Sequence, residues 1–410
     1  MSTSRQAVIL CGGLGTRLGE LTATTPKPLL PVNDQPFLDT LLFELGRNGF
    51  CDIVLLAGFE AEKVLAYCQT TPLARRFNLS LRVSIEPERA GTGGALYYAK
   101  DLLADTFLLL NGDSWFDINL SKHYADGLAG SATAHLALRA LEDASRFGVV
   151  EQDAEGQITA FFERPQTPAQ RLVNGGVYFM RKEVLEYIPQ TCSLEQETLP
   201  KLAAFRQVSG QTFDGFFIDI GMPDKYAEAH SAIPAQLQRT AVFLDRDGII
   251  NVDHGHVGTR ARFEWYPEII PTIAALNDQG HYVFVVTNQA GVAKGYYPEA
   301  NVLALHTHIQ TELHKQGAHI DAFRYCPHHP QGVVPHLQKP CSWRKPGPGM
   351  ILDLIAHWPI DRAHSLLIGD RDTDVAAAQA AGLAGHRIAA GTLHQIIQHL
   401  IPHAASDRDK

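Results

Sequence analysis

Short apolar runs that break directly into glycine, asparagine or acidic residues restrict this chain's fold more than any other feature. In the first half the runs are Ala7–Leu10, Ile53–Ala57, Leu81–Ile85 and Phe107–Leu110; in the second they are Val242–Leu244, Tyr282–Thr287 and Ser365–Ile368. They are too short to be core helices and too uniformly apolar for a strand with one wet face, so they predict fully buried strands. Segments with helical spacing lie between them: Phe37–Asn48, Thr92–Leu103, and stretches near 268–279, 298–317 and 347–357. Strand–helix alternation of this kind predicts an α/β chain with two doubly wound parallel sheets, whose ligands sit beyond the carboxyl ends of the strands. The polar motifs of the chain occur at those ends.

At 410 residues the chain exceeds one ordinary domain and predicts two or three. A break in composition locates the boundary: only His123, His135 and His230 precede residue 240, out of 19 histidines in all. Ser231–Arg239 reads as a Pro-containing connector, which gives domains 1–235 and 240–403, and Ser406–Lys410 reads as a frayed tail. A net charge of −9 argues against a nucleic-acid partner, which would call for a basic face. No apolar run is long enough to span a membrane, and the run Ala7–Cys11 leads straight into glycines rather than a cleavage site. Six scattered cysteines form no disulfide framework; Cys11, Cys51, Cys68 and Cys192 read as inert thiols, and the expected compartment is a reducing cytoplasm. Oligomeric state is left open, with a homo-oligomer possible.

In the first half, Gly12, Gly13 and Gly15 follow the first strand, where backbone N–H groups without a Cβ in the way can approach phosphates; Thr16 and Arg17 come next. Lys27 lies in Pro26-Lys-Pro-Leu-Leu-Pro31, a rigid extended segment. Together these two elements resemble the signature of the sugar-phosphate nucleotidyltransferases, which implies a Rossmann-like sheet. The resemblance extends to Glu86 with Gly91 and Gly93, as the nucleobase-reading loop, and to Asp113 and Asp219, as Mg²⁺ ligands. It also covers Glu163 with Arg164, and Asn174 with Gly175, as sugar-phosphate segments. The family usually has Lys where this chain has Arg164, which keeps the charge but changes the hydrogen-bond geometry. The implied chemistry is in-line attack of a sugar 1-phosphate oxygen on a nucleotide α-phosphorus, with Arg17 and Lys27 neutralising charge.

In the second half, Asp245 and Asp247 follow a strand and precede Gly248. Residues i and i+2 on extended backbone face the same side, so one carboxylate can attack while the other handles a proton. This pair, with Thr287, Asn288, Lys345 and Asp370 in order, resembles the haloacid-dehalogenase-type phosphatases and implies a second Rossmannoid sheet. Asp245 would be the nucleophile and Asp247 the acid–base. Asp245, Asp247 and Asp370 would hold Mg²⁺, with Asp374 shaping the metal site from behind. Asp253 and His256, the run Thr287–Gly295, and Cys326-Pro-His-His-Pro before Arg344 narrow the resemblance to heptose 1,7-bisphosphate 7-phosphatases, in which the residue at Arg344 helps recognise substrate.

That family's zinc loop is matched at Cys326, His328 and Cys341, but its fourth position holds Trp343, which cannot ligate. His329 or His336 could substitute, or the loop could pack without zinc. A phosphatase yielding heptose 1-phosphate, fused to an enzyme that activates sugar 1-phosphates, implies consecutive steps. The resemblance points to GTP and a GDP-heptose product. Other readings stay open: another sugar 1-phosphate (mannose or N-acetylmuramate), another nucleotide, a regulatory first domain, or a histidinol-phosphate-type phosphatase.

Overall fold

The computed structural model describes residues 5–13, 15–142, 144, 148–162 and 171–400. The chain divides into two compact units, Met1–Pro234 and Ala235–Lys410. Both are α/β.

Among the described residues the first unit holds a nine-stranded sheet. Its order is Ile158–Phe162, Val149–Gln152, Arg171–Arg181, Thr106–Asn111, Arg5–Leu10, Phe50–Ala57 and Ser80–Ile85. Ala134–Leu141 also pairs with Arg171–Arg181, and Val208–Thr212 with Ala134–Leu141. Arg5–Leu10 lies at the centre, parallel to both neighbours, with Val8 against Val54 on one side and Leu109 on the other. Their shared direction sends Cys11, Gly58, Glu86 and Gly112 out of the same sheet edge.

The expected all-parallel sheet is here a mixed one. Arg171–Arg181 runs antiparallel to Thr106–Asn111 and to Ala134–Leu141. Val149–Gln152 and Ile158–Phe162 also pair antiparallel, since the turn that joins them is far too short for a crossover helix. Helix Gly91–Tyr98 also stops earlier than Thr92–Leu103 predicts, because tight turns close on Tyr97 O and Ala99 O. The expected connector Ser231–Arg239 is mostly helix, since Pro223–Leu237 continues through Pro234. Pro234 has no N–H to give to the His230 carbonyl one turn back; Asn33 Nδ2 donates to that carbonyl instead.

The second unit has a five-stranded sheet, ordered Ala322–Cys326, Tyr282–Asn288, Ala241–Leu244, Leu366–Gly369 and Ala384–Arg387, and every pairing is parallel. Val242, Leu244, Val283, Val285 and Ile368 form the core with helix Ile269–Asp278 and helix Glu299–Lys315. Three strands therefore end side by side at Asp245, Thr287-Asn288 and Asp370. Among the described residues no helix is long and apolar enough to cross a membrane.

Candidate functional site

Each unit gathers its polar motifs at one sheet edge. In the first, the chain leaves Leu10 through Gly12 and Gly13 into a left-handed turn at Gly15 (φ +65°), where a Cβ would fall 2.7 Å from Thr22 Cγ2. Gly13 and Thr16 are exposed, and the hydroxyl of Thr22 donates to Gly15 O at 2.8 Å, fixing the loop. Arg17 is exposed as well, its Nη1 3.7 Å from Met222 Sδ. Glu86 leans over this loop: a Cβ on Gly12 would meet its Oε1 at 3.0 Å, and burial pushes its carboxyl above the usual range.

The two predicted metal carboxylates meet through a short antiparallel pair, Ser114–Phe116 with Phe217–Asp219, in which Asp219 faces Ser114. Lys27 Nζ lies 2.6 Å from Asp113 Oδ2. A Cβ on Gly221 would sit 2.8 Å from Asp219 Oδ1, 3.3 Å from Lys27 Nζ and 3.5 Å from Asp113 Oδ2, so all three converge there. Burial, and then the charge of Asp113, push the Asp219 carboxyl upward. Two carboxylates facing one another in this way suit a hard divalent cation such as Mg²⁺.

Gly91 and Gly93 serve close packing in addition to any role towards a base. A Cβ on Gly93 would fall 2.4 Å from Cys192 Sγ, and its N–H already donates to Cys192 O at 3.1 Å. Asn174 and Gly175 occupy a bulge, where the register of Arg171–Arg181 against Ala134–Leu141 slips. Asn174 Nδ2 donates to Tyr178 Oη at 2.7 Å, Tyr178 Oη donates to Glu195 Oε1 at 3.4 Å, and Thr92 Oγ1 donates to Glu195 Oε2 at 2.8 Å. Thr92 lies within the Gly91–Ala95 loop without having been singled out, whereas Tyr178 and Glu195 escaped the sequence reading and no local motif marks them. Glu163 and Arg164 lie outside the described residues.

The second unit's site is tighter. Asp245 Oδ1 is held twice, by Lys345 Nζ at 2.8 Å and by the Arg246 N–H at 2.7 Å, which leaves Oδ2 free to attack. Lys345 also reaches Asp374 Oδ1 at 2.6 Å and Val286 O at 2.8 Å. Burial pushes the Asp245 carboxyl up to about 6, with Asp374 and Asp247 adding to it and Lys345 opposing. Burial alone would pull the Lys345 ammonium down, but Asp245 and Asp374 reverse that and hold it protonated.

Asp245, Asp370 and Asp374 are the carboxylates whose oxygens lie within 4.8 Å of one another. Asp370 Oδ1 is buried without a hydrogen-bond partner, and Gly248 (φ +90°) lets the chain pass where a Cβ would be 2.4 Å from Asp370 Oδ2. This oxygen set fits Mg²⁺. Asp374 lies in this group while its Oδ1 is also engaged by Lys345, and Asp247 is not in the group. Asp247 is oriented by hydrogen bonds from Arg246 Nε at 3.1 Å, Asn251 Nδ2 at 2.9 Å and Gln289 Nε2 at 3.3 Å.

Thr287 Oγ1 accepts from Gln289 Nε2 at 2.9 Å, so its own proton remains available to a ligand. Asn288 holds the backbone of Lys345 instead of facing outward. Asp253 pairs with Arg371 at 2.7 Å, and His256 lies 3.5 Å from Lys294 Nζ. Arg344 Nη1 is buried and unpartnered.

Cys326, His328 and Cys341 also converge within 4.8 Å, with Cys326 Sγ 3.8 Å from His328 Nδ1. Ligands about 2.0–2.3 Å from a tetrahedral zinc stand roughly 3.5–3.8 Å apart, so the spacing fits. Burial, with Cys341 adding to it, pushes the Cys326 thiol up to about 12, a penalty that a bound cation would remove. Neither His329 nor His336 joins this group among the described residues; His329 Nδ1 accepts the Gln331 N–H at 3.0 Å. Trp343 and His328 line a cleft of about 440 Å³.

With the geometry established, comparison with known proteins places the chain. Residues 6–236, more than half of it, match the nucleotidyl transferase family, and the chain belongs to that family. Residues 342–399 match the HAD-hydrolase-like family, so the second unit is HAD-like. Among relatives, a D-glycero-beta-D-manno-heptose-1,7-bisphosphate 7-phosphatase of Rhodopseudomonas palustris is 52% identical over 150 residues, 37% of this chain and 83% of the relative. A D-glycero-alpha-D-manno-heptose 1-phosphate guanylyltransferase of Campylobacter jejuni is 35% identical over 226 residues, 54% of this chain and 96% of the relative. The crystal structure of HddC from Yersinia pseudotuberculosis complexed with GMP-PN is 28% identical and covers 56% of this chain and 99% of that one, with a TM-score of 0.50.

Proposed function

We propose that the chain removes the 7-phosphate of D-glycero-D-manno-heptose 1,7-bisphosphate in residues 240–403 and joins the resulting 1-phosphate to GMP from GTP in residues 1–235. One observation carries this reading: removing the 7-phosphate from the bisphosphate named for the relatives of the second unit leaves a heptose 1-phosphate, the kind of substrate named for the relatives of the first. The related structure with GMP-PN supports guanine as the base.

In the phosphatase half, Asp245 Oδ2 attacks the 7-phosphorus and the bond to the sugar oxygen breaks. Asp247 passes a proton to that oxygen and then takes one from the water that cleaves the aspartyl-phosphate. Lys345 and Thr287 hold the phosphoryl oxygens, and Asp245, Asp370 and Asp374 would hold Mg²⁺, which supplies charge neutralisation. In the transferase half, an oxygen of the sugar 1-phosphate attacks the α-phosphorus of GTP and pyrophosphate leaves. The Gly12–Gly15 loop, Arg17 and Lys27 bind and orient the triphosphate, and Asp113 and Asp219 would hold Mg²⁺. Cys326, His328 and Cys341 would hold a structural zinc.

The two sets of relatives carry different anomers in their names, β for the phosphatase and α for the transferase. Consecutive action in one chain requires the phosphatase half to accept the α-anomer. A phosphorus NMR time course with each anomer of the bisphosphate, Mg²⁺ and each nucleoside triphosphate tests this. The α-anomer with GTP should yield phosphate, then pyrophosphate and GDP-heptose. Phosphate release with no nucleotide-sugar from any triphosphate would overturn the transferase half; turnover of the β-anomer alone would overturn the coupling. Metal analysis of the purified protein should find about one zinc per chain.

A further inference from the structure

The cluster of Cys326, His328 and Cys341 offers three donors where a closed structural zinc site has four. Its two thiols are set by the backbone. Cys326 ends strand Ala322–Cys326, and its carbonyl accepts the Gln289 N–H at 2.9 Å; the next carbonyl, of Pro327, accepts the Ala293 N–H at 3.2 Å. Cys341 opens a tight turn in which its carbonyl accepts the Arg344 N–H at 3.0 Å. Among the described residues no further cysteine, histidine or carboxylate joins the three.

The side chains that could complete the set are held elsewhere. His329 uses Nδ1 to accept the Gln331 N–H, and its own N–H donates to Leu337 O at 3.1 Å. His336 is exposed on the short turn Pro335–Leu337. Glu299 lines the same cleft as His328, but its Oε1 accepts the Tyr325 hydroxyl at 2.8 Å. Trp343 is pinned beside the first turn of helix Gly349–His357: a Cβ on Gly349 would fall 2.6 Å from its Cδ1, and the Gly349 N–H donates to Ser342 O at 2.9 Å. An indole N–H only donates, so Trp343 brings bulk to the fourth position and no electron pair. Two thiolates and a neutral imidazole just cancel the double charge of zinc, and this sulfur-rich set favours a soft anion in the remaining place. The cleft of about 440 Å³ at His328 and Trp343 is of the size that takes a small molecule.

We infer that Cys326, His328 and Cys341 leave the fourth position of the zinc open towards the cleft lined by His328 and Trp343, and that a small thiolate binds there. This rests on the zinc reading above, and it makes the position exchangeable where a fourth protein ligand would close it.

The test uses the full-length chain loaded with cobalt(II), whose absorption reports its ligands, titrated with 2-mercaptoethanol. Thiolate-to-cobalt absorption should rise about 1.5-fold at saturation, as two sulfur donors become three, while the visible bands stay tetrahedral. Trp343→Cys should show that rise without added thiol and respond to none, and it should hold zinc about 100-fold tighter in competition with a chelating dye. Trp343→Phe, which leaves the position open, should behave as the parent does. A parent spectrum unmoved by thiol would overturn the inference, since a protein donor then fills the place. So would cobalt that leaves with the thiol on gel filtration. A parent chain that binds neither zinc nor cobalt would overturn the zinc reading and this inference with it.

Discussion

In the second unit Asp245, Lys345 and Asp374 are 7%, 3% and 0% exposed; in the first, Arg17 and Gly13 lie open, and the side chains of Lys27 and Asp113 keep 17% and 30% of their surface. Both sites handle phosphorus at the carboxyl ends of parallel strands, yet they are built to different depths. A carboxylate that must itself become esterified gains from a dry setting, where one lysine and one backbone N–H can fix one oxygen and free the other. A transferase whose chemistry passes between two bound substrates contributes no bond of its own, so a more open cradle of glycine backbone and cations suffices.

Replacing Asp245, the proposed nucleophile, should separate the two halves most sharply. Asp245→Asn is expected to lower phosphate release on the order of 10⁴-fold while pyrophosphate release from GTP and added heptose 1-phosphate stays within twofold. Loss of both activities together would mean the sites are not independent. In the open site Lys27→Met should cost the transferase about 10²- to 10³-fold and leave the phosphatase untouched, read by the same two assays. A loss under tenfold would show that charge there is shared more widely than the Lys27–Asp113 pair indicates.

The smallest effect concerns stability. In metal-free protein the native Asp245 carboxyl is pushed up to about 6 against 3.8 unfolded. The native state therefore holds a proton that the unfolded chain has released between those values. The stability from this group is complete below about pH 4 and is lost as pH rises through about 6, a change of roughly 3 kcal/mol. Urea unfolding of the second unit in chelator should show that decline, and Asp245→Asn should flatten it and raise the midpoint at pH 7. A parent chain with no decline over that range would mean Lys345 holds Asp245 ionised throughout.

What the sequence disclosed differs between the sites for physical reasons. Asp245 and Asp370 directly follow strands, Thr287 lies at the end of one and Lys345 precedes Pro346 in a turn, so local pattern was enough to place them. Asp374 comes from the first turn of helix Asp372–Ala380, and only packing against Gly369, where a Cβ would fall 2.2 Å from its Oδ2, shows that it points inward. Asp247 shared a motif with Asp245, but the adjacent Arg246 decides where its carboxylate goes. In the first unit, Tyr178 and Glu195 meet through a bulge and a single π-helical turn at Leu194–Thr198, neither of which has a clear sequence signature. The antiparallel strands were equally hidden, since a buried strand reads alike in either direction.

The two-way clasp between Asn288 and Lys345 carries one more consequence. Asn288 Nδ2 donates to Lys345 O at 3.1 Å, and the Lys345 N–H donates to Asn288 Oδ1 at 3.0 Å. Residue 345 belongs to no helix or strand, yet its amide is bound as a strand partner would bind it. In heavy water that proton should exchange as slowly as those of Tyr282–Asn288, since releasing it requires the strand end and the turn to open together. The turn that carries the buried cation thus shares the lifetime of the sheet, and Lys345 keeps its station between turnovers as firmly as during them.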